Sequence, residues 1–473
     1  MPGWIDLHTL FKEELKQARE EGKSEESLSE LQGLFESALS RGDDGCIEAL
    51  FQKSLALPVV SDRRNDEPDS LEEILDQRPA IREPVPQLSL DQESLNDRFL
   101  GAWLGRCSGC ALGKPLELIG LKGSGEDGVQ PWQRLKIYLT SISDQEWPIR
   151  DFVPEHSPAE QRPDVGTTCC WSCTREHIAF MESDDDIRYT ILGLILLKEK
   201  GLNFNSWDVA CNWIRRLPYF SVCTAETQAY RNLVERYDFH LGSNYGKIVP
   251  DVDWKWVSTN QNPYREWIGA QIRVDSYGYI CAGNPQLAAE LAWRDARISH
   301  TKNGIYGAMF CAAMIAASFV TQDMKQIVML GLDQIPRNCR LSLAIHQTVQ
   351  IAESLNYDGD RYEEAFSLLH GAFEHYSPVH TIPNAALCAL SMLLSGGDFH
   401  RAITLSVMGG WDTDCNGATV GSIVGAVVGA SRLPAHWTSR LNNTLLSEIF
   451  GYHPISISEC ATQTAAAFVS CRH

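Results

Sequence analysis

This 473-residue chain lacks any run near the ~20 apolar residues of a membrane-spanning helix. That excludes a helical membrane protein, and no membrane partner is expected. It is also short of positive charge, with 41 Lys and Arg against 61 Asp and Glu and a formal net charge of −20. Such a balance argues against tracking a phosphate backbone and against adhesion to anionic lipid, so no nucleic-acid partner is expected. A phosphate-bearing ligand would be held locally, by metal ions, helix ends or a few arginines. The N-terminal segment soon turns charged and has no apolar run of signal-peptide length, so a cytoplasmic location is expected. Fifteen cysteines, an odd number, fit a reducing compartment better than a disulfide framework. Alternating β-branched strands are missing as well, which removes sheet architectures.

What remains is helix. Hydrophobic residues make up 44% and charged residues 22%, ordinary for a globular protein. The expected fold class is all-α, with an acidic helical N-terminal extension over 1–58, a linker with one short helix over 59–89, and a main domain over 90–473. The extension, with leucines at 10, 15, 28, 31, 34, 39 and 50, is a candidate protein-contact element. The linker, which includes Arg63-Arg64-Asn65-Asp66-Glu67-Pro68, reads as a mobile connection. In the main domain, helical periodicity covers 97–112, 184–200, 207–216, 223–236, 285–297, 304–320, 324–332, 339–355, 361–374, 383–395, 399–408 and 416–431. The segments 120–170 and 238–283, richer in Gly, Pro, Trp and Tyr, are expected as loops bordering a pocket.

Glycines recur once per helical turn at 417, 421, 425 and 429, and again at 101, 105, 109 and 113. Each interior helical glycine costs roughly 1 kcal/mol relative to alanine, so close packing or function must offset it. The two segments are therefore predicted to cross in contact. Just before the later one stands Gly409-Gly410-Trp411-Asp412-Thr413-Asp414-Cys415-Asn416, carrying carboxylates where a helix begins. Asp184-Asp185-Asp186, behind Ser183, also opens a helix. By itself that cluster reads as Ser183 capping the helix with acids on its dipole. Brought near Asp412 and Asp414, it would need protonation or divalent cations to be tolerable. Oxygen ligands of this type suit Mg²⁺, Mn²⁺ or Ca²⁺.

These motifs together resemble the ADP-ribosylglycohydrolase family, which includes the dinitrogenase reductase-activating glycohydrolases. The likeness runs from about 97 to 432 through a glycine-rich first helix, a Ser/Thr-Asp-Asp cluster and a late Gly-Gly-Asp-Thr-Asp segment followed by small residues. It implies an all-α fold with a two-magnesium centre that holds the ribose of an ADP-ribosyl group. By position, Ser183, Asp184, Asp185, Asp412 and Asp414 are the implied metal ligands. Cys415 stands where many members carry a metal-binding Ser or Thr. A thiol is a poor magnesium ligand, so water or Asn416 completes that sphere, or one metal binds more weakly. Cys110 likewise replaces an aspartate common in the family's Gly-Asp-Ala-Leu-Gly. Glu117 matches the catalytic glutamate of one branch, and is equally a solvated loop acid when taken alone.

The implied reaction is hydrolysis of a glycosidic bond to ADP-ribose, on a protein side chain or a related compound. Glu117, Asp185 and Asp412 are the expected catalytic residues, Glu117 in acid/base work and the aspartates positioning metal and sugar. Tyr277 or Tyr279 is a candidate for stacking on a base, with Arg273 or the Gly278 backbone near phosphate. The alternative there is aromatics that plug a loop into the core. Gly113, Gly410 and Asn416 complete the expected substrate contacts. A nucleosidase-like hydrolase of a small ribosylated metabolite and a non-catalytic binder of the same fold are the competing readings. His300 and His380 begin helices and are not assigned to catalysis. Cys107 and Cys110 read as packing residues, whereas Cys169, Cys170 and Cys173 leave soft-metal binding open.

Overall fold

The computed structural model describes residues 3–60, 67–123, 128–239 and 251–472. Among them the architecture is all-α, apart from one antiparallel pair of two-residue strands, Thr444–Leu445 with Ile455–Ser456. The helices Gln92–Gly113 and Thr413–Val428, called here the first and second glycine helices, lie against each other along the whole predicted register. A Cβ on Gly101, Gly105 or Gly109 would overlap the carbonyl oxygen of Gly425, Gly421 or Gly417, and the reverse holds from the other helix. Backbone thus meets backbone, which only residues without side chains permit. The second helix stops at Val428 rather than near 431, because Gly429 takes φ +81° and its N–H closes on the Gly425 carbonyl at 2.9 Å.

The other long helices fall within a few residues of their expected bounds, as in Met324–Leu332 and Phe399–Met408. Two were not anticipated. Pro131–Thr140 lies inside the expected loop 120–170, started by proline in its first turn and a capping box between Gln130 and Gln133. Ile457–Ser470 packs on the first glycine helix, where the Trp103 indole donates to Thr464 Oγ1 at 3.0 Å.

The N-terminal helices Leu7–Glu20, Glu25–Arg41 and Asp44–Ala56 form their own apolar cluster, which reaches Ala225 and Tyr264 of the main body. A buried guanidinium fastens them there: Arg265 pairs with Glu14 at 2.6 Å and with Glu21 at 2.7 Å. The mobile reading of the linker is corrected for its described part. Glu67 pairs with Arg340 at 2.8 Å, Asp69 accepts from the Lys302 N–H at 2.8 Å, and Ile74 of the helix Leu71–Asp76 is fully buried. Arg63 to Asp66, and 240–250 of the second expected loop, lie outside the described residues. All fifteen cysteines are free thiols, and among the described residues no helix is long and apolar enough to cross a membrane.

Candidate metal centre

The glycine seam decides where the acids go. At its end Thr413 Oγ1 donates to the Gly113 carbonyl at 2.7 Å, so the C-terminus of one helix and the N-terminus of the other share a place. Lys114 and Glu117 follow directly from the first, and Asp412 and Asp414 open the second. The turn before Asp412 is tight: Gly410 has φ +81° and Trp411, a non-glycine, φ +55°. Such a conformation costs of order 1–3 kcal/mol. It is held by stacking of Trp411 on His370, ring centres 4.0 Å apart, and by a 2.8 Å contact from His370 Nε2 to the Gly409 carbonyl.

The third contributor is the start of Asp185–Lys200. Its N-cap is Asp184, whose carboxylate accepts from the Asp186 N–H at 3.0 Å, and not Ser183 as expected. Ser183 Oγ instead accepts from Arg188 at 2.8 Å. Two groups of potential ligand atoms result, each with all atoms within 4.8 Å of one another: Cys110, Asp184, Asp186 and Asp414 in one, Asp412, Asp414 and Cys415 in the other. Asp414 belongs to both.

The electrostatics are severe. Asp412, Asp414 and Asp184 are at most 5% exposed. Asp412 sits at an N-cap yet makes no capping bond, and Asp412 Oδ1 and Asp414 Oδ1 are buried without a hydrogen-bond partner. Burial, then the charge of Asp414, drives the Asp412 carboxyl well above its usual range, and burial with Asp184 raises Asp414. Asp184 goes the other way: burial works against ionisation, but the Lys114 ammonium paired with it outweighs that and holds it low. The charge of Asp414, together with burial and Asp184, pushes half-buried Glu117 up to about 10. Burial and Asp184, opposed by Arg188, bring Asp185 to about 7. Unpaired buried carboxylates that repel one another are a costly arrangement, and a hard divalent cation relieves it directly. Asp412 and Asp414 fit such an ion. Cys415 does so poorly, since burial and then Asp186 and Asp412 keep its thiol protonated.

Other expected contacts lie elsewhere. Arg273 is 1% exposed, held by Glu226 and Asp295, with Nη2 donating to Ser299 Oγ at 2.9 Å. Tyr277 donates to Asp295 at 2.8 Å and stacks on Phe204, and Tyr279 contacts Ser422 at 2.7 Å. The Gly278 backbone faces Ile315. All four are buried structure, which corrects their assignment to base and phosphate: the acids that consume the arginine lie far away in the sequence. Gly410 packs on Pro131 and Trp132, and Gly113 on Thr413. Asn416 donates to Asn384 at 2.8 Å and accepts from the Cys388 thiol at 3.3 Å, so its amide braces the turn from behind. His300 contacts Ser299 at 2.8 Å, and His380 lies 3.5 Å from Glu266.

Residue-type reasoning passed over Lys114, Arg106 and Asp186 as site residues. Arg106, fully buried in the glycine helix, donates to Asp186 Oδ1 at 3.0 Å and pairs with Asp275 at 2.9 Å. A charge inside a small-residue helix was the available signal, because a buried guanidinium demands acids. Cys169, from the end of the first expected loop, donates to the Lys114 carbonyl at 2.9 Å. From the second loop, Ile268 and Ile272 pack against Cys415.

The sequence profile described as ADP-ribosylglycohydrolase matches residues 91–465. A solved structure titled "ADP-ribosylglycohydrolase-related protein complex" is 17% identical, with a TM-score of 0.45, over 80% of this chain and 99% of that one. No curated protein matches.

Proposed function

Because the chain belongs to the ADP-ribosylglycohydrolase family, we propose that its buried acidic centre hydrolyses a glycosidic bond to an ADP-ribosyl group with the help of a divalent cation, Mg²⁺ or Mn²⁺. The observation that carries this reading is the pair of orphaned buried oxygens, Asp412 Oδ1 and Asp414 Oδ1. A cation held by Asp412 and Asp414 would chelate sugar hydroxyls and acidify bound water.

The remaining chemistry belongs to the protein. Departure of the leaving group from ribose builds positive charge on the sugar, and the surrounding carboxylates stabilise it. Glu117, which follows directly from the end of the first glycine helix, would give a proton to the leaving atom. Asp185, only partly buried at the start of its helix, would take a proton from the attacking water. Arg188 bonds Ser183 and Lys114 pairs with Asp184, which fixes the start of Asp185–Lys200, the aspartate helix.

Incubating the protein with ADP-ribosylated arginine and serine peptides and with ribosylated nucleosides, with and without Mg²⁺, tests this by mass spectrometry of the released sugar. Release of ADP-ribose that stops on chelation is expected, and Asp414→Ala should abolish it with the helical circular dichroism intact. Undiminished release by that variant refutes the assignment.

A further inference from the structure

We infer that this centre holds one divalent cation and not two, because the Lys114 ammonium occupies the other cation position. The inference rests on the proposed metal site. Of the two ligand groups, Asp184, Asp186, Asp414 and Cys110 surround a place already supplied with positive charge. Lys114 Nζ, on a residue 9% exposed, pairs with Asp184, and Arg106 pairs with Asp186 from the other side. The fourth member, Cys110, offers sulfur where a hard ion wants oxygen.

The second group is different. Asp412 forms no ion pair among the described residues, and its Oδ1, like that of Asp414, has no partner. That group does not include Asp184, the carboxylate that Lys114 pairs with, so holding an ion there leaves the ammonium in place. A second ion in the first group would have to evict Lys114 from a buried position, leaving an ammonium without counter-charge, or sit against it at repulsive range. Lys114 also begins the segment that carries Glu117, through the turn Lys114–Leu116 into Glu117–Gly120. Its pairing with Asp184 therefore ties the position of Glu117 to the aspartate helix, a role a loosely held metal would not perform.

Mn²⁺ alone is the probe. Equilibrium dialysis of the full chain should give one Mn²⁺ per chain, with an isolated-ion electron paramagnetic resonance spectrum. Lys114→Met should take up a second equivalent, with exchange broadening. Asp412→Asn should lose the ion in the otherwise native background, whereas Asp184→Asn should keep it within about threefold in affinity. Two equivalents in the native protein, or a single one in both it and Lys114→Met, overturn the inference while leaving the metal reading intact. No Mn²⁺ uptake by the native protein overturns the metal reading itself. If Lys114→Met does not fold by circular dichroism, the native stoichiometry and the Asp412→Asn and Asp184→Asn pair decide: loss of the ion in Asp184→Asn overturns the placement.

Discussion

Gly109→Ala and Gly33→Ala make the same chemical change in two helix interiors and should act with opposite sign. Alanine is better than glycine in a helix by about 1 kcal/mol, and Gly33, exposed with nothing within 4 Å of a new methyl, should show that gain. At Gly109 the methyl would run into the Gly417 carbonyl, which is backbone and cannot rotate away. Overpacking typically costs about 1–3 kcal/mol, and an immovable neighbour puts this case at or beyond the upper end. After the propensity gain is subtracted, a net loss of about 2 kcal/mol remains, so the two variants should differ by about 3 kcal/mol. Urea denaturation followed by circular dichroism measures both. Gly109→Ala should also weaken Mn²⁺ binding, because the seam sets the distance between Gly113 and Thr413. A Gly109→Ala protein as stable as Gly33→Ala would refute the backbone-contact account.

The charge of Asp414, with burial, pushes the Glu117 carboxyl up to about 10 in the fold, from 4.5 ordinarily. Its contribution to stability is then complete below about 4.5 and lost as pH climbs toward 10. Metal-free protein should melt lower at pH 9 than at pH 6, with saturating Mg²⁺ flattening the slope; a rise instead contradicts the assigned direction. Cys415→Ser puts a hydroxyl oxygen beside Asp412 and Asp414 and should tighten Mg²⁺ binding several-fold by calorimetry, while an unchanged constant would place residue 415 outside the ion's reach. Arg265→Met strips Glu14 and Glu21 of their buried counter-charge, which should cost about 3–5 kcal/mol in thermal unfolding and open the N-terminal helices to limited proteolysis.

The glycine register at 101–113 and 417–429 was legible in sequence because an unrewarded run of helical glycines has few explanations, and with it the place of Asp412 and Asp414 at the end of the seam, where both are buried. Helix positions were legible for the usual reason of periodicity. The failures share a cause. Arg273 and Tyr277 look like ligand-binding residues by type, but whether a guanidinium meets phosphate or Glu226 and Asp295 depends on contacts 47 and 22 positions away. Lys114 escaped notice because its significance lies in a partner 70 residues on, at Asp184. The helix Pro131–Thr140 was hidden by a setting rich in tryptophan and proline, although its capping signals were present.

Gly113 and Thr413 touch across 300 positions of chain. A nascent polypeptide that has emerged only as far as Phe399 therefore displays an empty backbone trough and half a ligand set, so the centre comes into being only as the last sixth of the sequence docks. Severing the chain between the two halves would divide the carboxylates between fragments, so that neither fragment alone would carry the centre.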